Sequence, residues 1–370
     1  MGRNSQLQGE EGSREVGKHR LNARLFACAV VALGIIVGTS GVSAASQHHA
    51  SGPTLTGGPW GWPGTPKTGY LPPNEPAIHK GLPVKIGLIT AGPVTDHGYY
   101  ESELTVINQF VKKYHWAKPI IDDDVSPADP GTVATSLCQQ KVDLVIIGQS
   151  ELAAAAPAAR SSVCKGVPFI AYASYGTMPP SAYYYLAEDF PDPQSYVTGV
   201  AMGLWLKQHH ETRAGFVAGP ALSFTERPAR GYLAGMRSVV PSATLDAVYT
   251  GDFNASGPAI TAAQGMLTSG IQLIFPYLGG ALFPAASYIT SHGGATISDG
   301  LNSCKAFGVS FAIRQVYDPG YYLAYPLQQF AAGTMRVGVV KKFNFGITPI
   351  PTVQFCVVGG VQTNTTLNKL

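Results

Sequence analysis

Short apolar runs alternate with longer segments of helical periodicity from Val84 onward. The first run, Val84–Thr90, ends at a polar loop, and the segment after that loop places Leu104 and Ile107 on one face of a helix. The run Val142–Ile147 is interrupted only by Asp143, which is typical of a strand in a parallel sheet that is covered on both faces. The pattern therefore predicts an α/β protein.

The alternation of strands and helices continues to about residue 332, and proline or glycine lies near many of the boundaries. The predicted strands are Lys85–Thr90, Pro119–Asp122, Leu144–Ile147, Pro168–Ala171, Tyr183–Ala187, Arg213–Val217, Thr244–Tyr249, Leu273–Phe275, Ala295–Ser298 and Val309–Ile313. The predicted helices are Tyr99–Tyr114, Pro130–Gln140, Ser150–Cys164, Asp192–His209, Leu222–Val239, Pro258–Ser269, Ala281–His292 and Pro319–Ala332. The pattern appears twice, over residues 84–190 and 213–313, so we expect two similar lobes, each a parallel sheet flanked by helices, with a cleft between them.

The N-terminal segment has the pattern of a targeting sequence. Basic residues between Arg14 and Arg24 precede the apolar run Leu25–Val37, and Val42-Ser43-Ala44 matches a small-x-small cleavage site. We predict a signal peptide over residues 1–45, with an uncleaved membrane anchor as the alternative. Either arrangement places the bulk of the chain in the periplasm or elsewhere outside the cytoplasm. Residues 46–80 are rich in glycine and proline and are predicted to be a linker.

Charge and cysteine content narrow the classes of function. A net charge of +3 with 13% charged residues gives no basic footprint for nucleic acid. Four cysteines follow the targeting segment, and an even number in an oxidising compartment indicates two disulfides. Cys138 and Cys164 each precede a predicted strand and so fall at the same edge of one lobe, which pairs them and leaves Cys304 with Cys356. No metal-ligand spacing is present, so neither a metal nor a cofactor is expected.

The loop after the first strand carries the most informative side chains, which are Asp96, Tyr99 and Tyr100. In open α/β sheets, ligands bind beyond the carboxyl ends of the strands, where this loop lies. The loop lacks the glycine spacing and the lysine of a phosphate-binding loop. It therefore predicts an aromatic-lined pocket for a small planar solute. The alternative is that both tyrosines only pack at the start of the helix.

Other candidate ligand contacts also follow strands. Phe275 ends an apolar strand and precedes Tyr277, so its ring either contacts the ligand or caps the core. Gln149 is placed to recognise the edge of a heterocyclic base. Glu188, which is followed by Asp189, is placed either to accept a hydrogen bond from a ligand hydroxyl or to join a hinge network. Sequence signatures of a serine hydrolase or a zinc protease are absent, so we do not expect an enzyme.

Several motifs together resemble the basic membrane protein, or purine nucleoside receptor, family of ABC transporter substrate-binding proteins. The resemblance covers roughly residues 84–345. The motifs, in chain order, are Asp96-His97-Gly98-Tyr99-Tyr100, Gly215-Phe216-Val217-Ala218-Gly219, Gly231-Tyr232-Leu233-Ala234-Gly235, Gly251-Asp252-Phe253, and Leu273-Ile274-Phe275 with Gly279-Gly280.

The resemblance implies that a nucleoside base is stacked between Tyr99 and Phe275, one ring from each lobe. It also implies that the ribose is held by Asp299 and Arg314. This chain departs from the family pattern at Ala91, where the family has aspartate, and at Tyr100, where it has asparagine. The family lysine corresponds to Ile313 or Arg314. We therefore expect the selectivity for nucleosides to be broader or shifted.

The resemblance further implies a type I-like periplasmic binding fold. Its first lobe is expected to comprise residues 81–190 plus about 314–334, and its second lobe residues 191–313 plus about 335–370. The implied function is delivery of a small aromatic or heteroaromatic solute, with a purine nucleoside first, to an ABC transporter permease by a monomeric protein. Two alternatives remain open: an accessory protein that presents a ligand to a membrane sensor or an enzyme complex, and a nucleoside hydrolase.

Overall fold

The structure is a computed structural model that describes residues 79–174, 176–300, 303–344, 351–357 and 360–362. The predicted signal peptide and nearly all of the predicted linker lie outside these residues. Where the description begins, the backbone NH of His79 donates to the carbonyl of Ala331, and the indole NH of Trp116 donates to the carbonyl of His79. No helix within the described ranges combines the length and apolar character needed to cross a membrane.

The first half of the molecule is built on a parallel sheet with the strand order β13-β5-β4-β3-β1-β2. Five of these strands come from the first part of the chain, and β13 joins them from near its end. Its strands are β1 (Ile86–Ile89), β2 (Ile120–Asp122), β3 (Leu144–Ile147), β4 (Phe169–Ser174), β5 (Tyr184–Phe190) and β13 (Val340–Asn344). Its helices are α1 (Tyr99–Tyr114), α2 (Pro130–Gln139), a 3-10 helix (Ser150–Arg160) and α7 (Pro319–Ala331). All residues of β1, β3 and β4 are buried, because helices cover both faces of this sheet.

The second half builds a sheet with the order β15-β14-β12-β9-β8-β6-β7, in which the pairs β12–β14 and β14–β15 are antiparallel and the other pairs are parallel. Its strands are β6 (Arg213–Ala218), β7 (Thr244–Tyr249), β8 (Leu273–Tyr277), β9 (Ala295–Asp299), β12 (Ile313–Val316), β14 (Thr352–Val357) and β15 (Gly360–Gln362), and a separate hairpin is formed by β10 (Lys305–Ala306) and β11 (Val309–Ser310). Its helices are α3 (Asp192–Gln208), α4 (Ser223–Val239), α5 (Ser256–Thr268) and α6 (Leu282–Ser291). The predicted α/β fold with two parallel sheets flanked by helices is confirmed.

The sequence prediction was wrong in the last part of the chain. The single strand predicted over Val309–Ile313 is divided between β11 and β12, because the backbone turns at the hairpin before it enters the sheet. The segment after α7 contains β13, which pairs with β5 in the first sheet, whereas residues 335–370 were assigned to the second lobe. Conversely, Arg314 lies in β12 of the second sheet and not in the first lobe.

The chain passes between the two sheets after β5, after β12 and between β13 and β14. Gln194, in the first turn of α3, joins these passages through one side chain. Its Nε2 donates to the carbonyl of Val316 at 2.8 Å and to the carbonyl of Thr352 at 3.0 Å. A single amide therefore ties together the three segments about which the halves would move.

Both predicted disulfides are confirmed. Cys138 at the end of α2 is bonded to Cys164, which precedes β4, and Cys304 is bonded to Cys356 in β14. The first bond lies within the first half, where the two pre-strand positions meet at one edge of the sheet. The second links the loop before β10 to the antiparallel margin of the second sheet.

Helices α3 and α4 approach so closely that their backbones touch. A Cβ atom on Gly235 would lie 2.1 Å from the carbonyl oxygen of Tyr196, and one on Gly199 would lie 2.2 Å from the carbonyl oxygen of Tyr232. Only glycine fits at such a crossing. The close approach leaves Tyr232 fully buried between the helices and the second sheet.

Candidate functional site

A cleft opens where the carboxyl ends of the two sheets face each other. The cavity within it has a volume of about 70 Å³. Its lining comes from both halves: Ala91, Asp96, Tyr99, Tyr100, Gln149, Glu151, Ser174, Asp189, Pro191, Gln194, Ser195, Phe224, Pro228, Tyr232, Phe253, Asn254, Tyr277, Leu278, Gly279, Asp299, Gln315 and Tyr317. The rings of His97 and Phe307, one from each half, lie 4.9 Å apart.

Asp96 holds the start of α1 and thereby places both tyrosines. Its carboxylate accepts hydrogen bonds from the backbone NH groups of Gly98, Tyr100 and Glu101 at 2.9–3.1 Å. Burial nevertheless raises the pKa of Asp96 to about 6. The carboxylate is thus occupied by the helix start, although the side chain lines the cleft as predicted.

Tyr99 and Gln149 line the cleft and are bonded to each other. The Nε2 atom of Gln149 donates to the Tyr99 hydroxyl at 2.6 Å, and its Oε1 accepts from both the NH and the hydroxyl of Ser150. Gln149 therefore caps the 3-10 helix. Its amide oxygen is already used, which limits the predicted contact with the edge of a base.

A hydrogen-bond chain fixes Asp299 at the end of β9. Gln315 accepts from the hydroxyls of Thr198 and Tyr232 and donates through Nε2 to Asp299 at 3.1 Å. The Tyr317 hydroxyl donates to the other carboxylate oxygen at 3.2 Å. Burial nonetheless raises the pKa of Asp299 to about 8. The prediction that Asp299 contacts the ligand stays a prediction, and its position on the cleft wall is consistent with it.

Asp189, and not Glu188, points into the cleft. Neighbouring residues on β5 face opposite sides of the sheet, so only one of the two can reach the site. Asp189 is 4% exposed, and the hydroxyls of Ser174 and Tyr172 interact with its carboxyl group, whereas its Oδ1 has no donor within hydrogen-bond distance in the described part of the chain. Burial raises its pKa to about 7. The choice of Glu188 as the ligand contact is therefore corrected to its neighbour.

The assignment of Phe275 as a ligand ring is also corrected. Phe275 is fully buried in the core of the second half, where it packs on Phe216 and Tyr232, and it does not reach the cleft. Tyr277, two residues further along β8 on the same face, lies at the strand end and lines the cleft. Tyr277 was among the predicted contacts.

Arg314 does not reach the cleft either. It is the residue before Gln315 on β12 and so faces the opposite side of the sheet. The side chain is buried, its Nε has no partner among the described residues, and burial lowers its pKa. A contact between Arg314 and a ribose therefore does not fit this structure.

Several wall residues were missed by the sequence analysis, among them Gln194, Gln315 and Tyr317. Tyr232 and Phe253 lie inside two of the motifs that carry the family resemblance, so a signal was present for these two rings. Glu151, on the 3-10 helix, was also missed, and burial raises its pKa to about 7. The described residues contain no group of side chains arranged to bind a metal ion.

Replacement of Asp299 by asparagine should change the pH dependence of stability. A carboxyl whose folded pKa exceeds its unfolded value favours folding while it stays protonated, and this contribution is lost as pH rises from about 4 to about 8. We expect Tm of Asp299→Asn minus Tm of the wild type to grow by about 5 °C or more over this range without ligand. Calorimetric scans at several pH values measure it, and a difference that is constant with pH contradicts the assignment.

Comparison with known proteins agrees with this architecture. Residues 83–302 match the family described as "ABC transporter substrate-binding protein PnrA-like". Two curated relatives, each named "CD4+ T-cell-stimulating antigen", come from Listeria monocytogenes and Listeria innocua. Each is 35% identical to this chain over 86 residues, and the aligned segment spans 23% of this chain and 23% of the relative.

Solved structures share the fold at low sequence identity. A solute-binding protein of an ABC transporter system from Aeropyrum pernix is 16% identical, with a TM-score of 0.61 over 71% of this chain and 74% of that chain. The 5-methylthioribose transporter solute-binding protein from Thermotoga lettingae is 10% identical, with a TM-score of 0.56 over 76% of this chain and 88% of that chain. At these identities the likeness extends to the two-lobed fold alone.

Proposed function

This chain belongs to the PnrA-like family of ABC transporter substrate-binding proteins, and on that premise we propose that its cleft binds a small aromatic or heteroaromatic solute. Proteins of this family are not enzymes; they bind small ligands outside the cytoplasm and work with a membrane permease.

The observation that carries the proposal is the set of aromatic rings around the cleft. The wall contains Tyr99, Tyr100, Phe224, Tyr232, Phe253, Tyr277 and Tyr317, contributed by both halves. Ring-to-ring stacking on a planar solute contributes roughly 0.5–1.5 kcal/mol beyond burial of area. Rings from opposite walls contact the same solute only when the cleft is closed, so stacking stabilises closure.

Closure is the signal that we propose the permease recognises. The three passages between the sheets act as the hinge, and the solute shifts the equilibrium by as much as its affinity differs between the closed and open forms. The protein is proposed to act as a monomer.

Purine nucleosides are the first class of solute to test. The cleft differs from the expected nucleoside site, because Phe275 lies in the core and the amide oxygen of Gln149 is already bonded. A wall of rings discriminates weakly among planar solutes, whereas paired polar groups reject analogues strongly. We therefore expect ring stacking to dominate and selectivity among purines to be broad.

A thermal-shift panel of purines, nucleosides, other aromatic solutes and sugars tests the proposal. Ligand present at 100 times its Kd stabilises the folded state by about 2.7 kcal/mol, which is easily detected. The aromatic members of the panel should raise Tm, and the sugars, which have no aromatic ring, should not. Stabilisation by sugars alone would contradict the proposal, and strong preference for one nucleoside over its close analogues would contradict the expectation of broad selectivity.

A further inference from the structure

The ionisable side chains on the wall of the cleft are all acidic. Four carboxyl side chains line it, namely Asp96, Glu151, Asp189 and Asp299, and the described wall residues include no lysine, arginine or histidine. Charged groups in a cleft with low-dielectric walls act strongly on a ligand, because water screens them poorly. The cleft therefore favours a ligand of positive charge and disfavours an anion.

Two buried acceptor atoms on this wall have no partner in the described structure. They are Oδ1 of Asp189, at the end of β5, and Oε1 of Gln194, in the first turn of α3. The Nε2 of Gln194 is held by two carbonyl groups, so its amide oxygen cannot exchange places with the nitrogen. A buried acceptor left without a donor costs about 1–3 kcal/mol, and an NH group of a ligand would remove that cost.

Two of the other carboxylates are already engaged. Asp96 accepts from backbone NH groups at the start of α1, and both oxygens of Asp299 have side-chain donors. Of the two that remain, Glu151 is partly exposed whereas Asp189 is buried, so Asp189 is the carboxylate best placed to receive a donor from the ligand. The surrounding rings add a second attraction, because the faces of tyrosine and phenylalanine rings attract cations.

We propose that the solute carries a positively charged nitrogen with NH bonds beside its aromatic ring, and that Asp189 and Gln194 receive those NH groups. The inference rests on the proposed function and specifies the charge of its ligand. It also accounts for four carboxyls in one cleft without a basic partner, since the cation is supplied by the solute. In its absence, burial keeps the pKa of Asp189 near 7 and that of Asp299 near 8, so the empty cleft retains protons.

Two matched sets of solutes test the charge by calorimetry at pH 7. The first compares 1-methyladenosine, which is cationic, with its neutral isomer N6-methyladenosine. The second compares 2-phenylethylamine, 2-phenylethanol and phenylacetate, which are cationic, neutral and anionic. Hydrogen bonds to charged groups are roughly twice as strong as those between neutral groups, so in at least one set the cation should bind about fivefold tighter or more than its neutral counterpart.

The variant Asp189→Asn assigns the effect to its residue. It keeps the side-chain shape and removes the negative charge, so it should abolish most of the cation's advantage over its neutral counterpart. The control is Asp246→Asn. Asp246 lies on β7 and forms an exposed ion pair with Arg213, so this variant should leave the affinities for the cation and for its neutral counterpart unchanged. If Asp189→Asn does not fold, the matched sets on the wild type decide the question of charge.

Three results are decisive. A cation preference that disappears in Asp189→Asn supports the inference. Neutral members that bind as tightly as the cations overturn the inference and leave the aromatic-solute proposal intact. Failure of every aromatic member, whatever its charge, overturns the proposed function and the inference with it.

Discussion

Gly235→Ala should destabilise the protein by about 3 kcal/mol or more, because no side chain fits between α3 and α4 at this point. The new Cβ would lie 2.1 Å from the carbonyl oxygen of Tyr196 and 2.6 Å from the backbone nitrogen of Val200. Both are backbone atoms of α3, so the clash cannot be relieved by a side-chain rotation. The helices must separate, and Tyr232 then loses its position against Gln315.

Thermal and urea unfolding measure this effect, with Gly265→Ala as the matched control. Gly265 lies in the exposed part of α5, where a Cβ meets no atom within 4 Å. Alanine there should stabilise the helix by up to about 1 kcal/mol, since glycine is the poorer helix former. A loss of Tm below about 6 °C for Gly235→Ala would show that the helices can move apart at little cost.

Tyr99→Ala should mainly weaken binding of the solute, whereas Phe275→Ala should mainly lower the stability of the fold. Tyr99 lines the cleft, so its removal should weaken binding of the solute by about tenfold or more, given roughly 1–3 kcal/mol for stacking of a base on a ring. Phe275 is a fully buried core ring, so its removal should cost about 3–5 kcal/mol of stability. The folded fraction of Phe275→Ala should keep its affinity within about threefold.

Tyr99→Phe is the control for this pair of variants. It removes the hydroxyl that accepts from Gln149 but keeps the ring, so binding should change far less than in Tyr99→Ala. Calorimetry gives the affinities and unfolding curves give the stabilities. Unchanged affinity in Tyr99→Ala would remove this ring from the site, and loss of binding with little loss of stability in Phe275→Ala would restore the stacking pair implied by the family resemblance.

The sheets could be predicted from the sequence because each strand had a local signal. Apolar runs such as Val142–Ile147 ended at proline, glycine or polar residues, and the repeated order of strands and helices indicated two halves. The tail had no such signal: β13 and β14 are partly polar segments whose pairing depends on which sheet edge is free. Sheet membership after α7 is a long-range property that local periodicity does not contain.

The site was harder to predict because one residue of displacement along a strand changes the face on which a side chain lies. Glu188 and Asp189 both carry a carboxylate, so the sequence does not distinguish them, and only the orientation of β5 places Asp189 on the cleft wall. The same rule separates Arg314 from Gln315 on β12. Phe275 and Tyr277 share a face, and the length of β8 decides which ring reaches the end of the strand.

Native mass spectrometry of the purified protein in an equimolar mixture of solutes tests the central claim most directly. The mixture contains purine nucleosides, aromatic amines, aliphatic amino acids and sugars, each at the same concentration. We predict a complex of one aromatic solute per chain in the wild type and a much smaller fraction of that complex in Tyr99→Ala, because the ring of Tyr99 forms part of the cleft wall. A complex with a sugar or an aliphatic amino acid in place of an aromatic solute, or no complex with any member, would contradict the account.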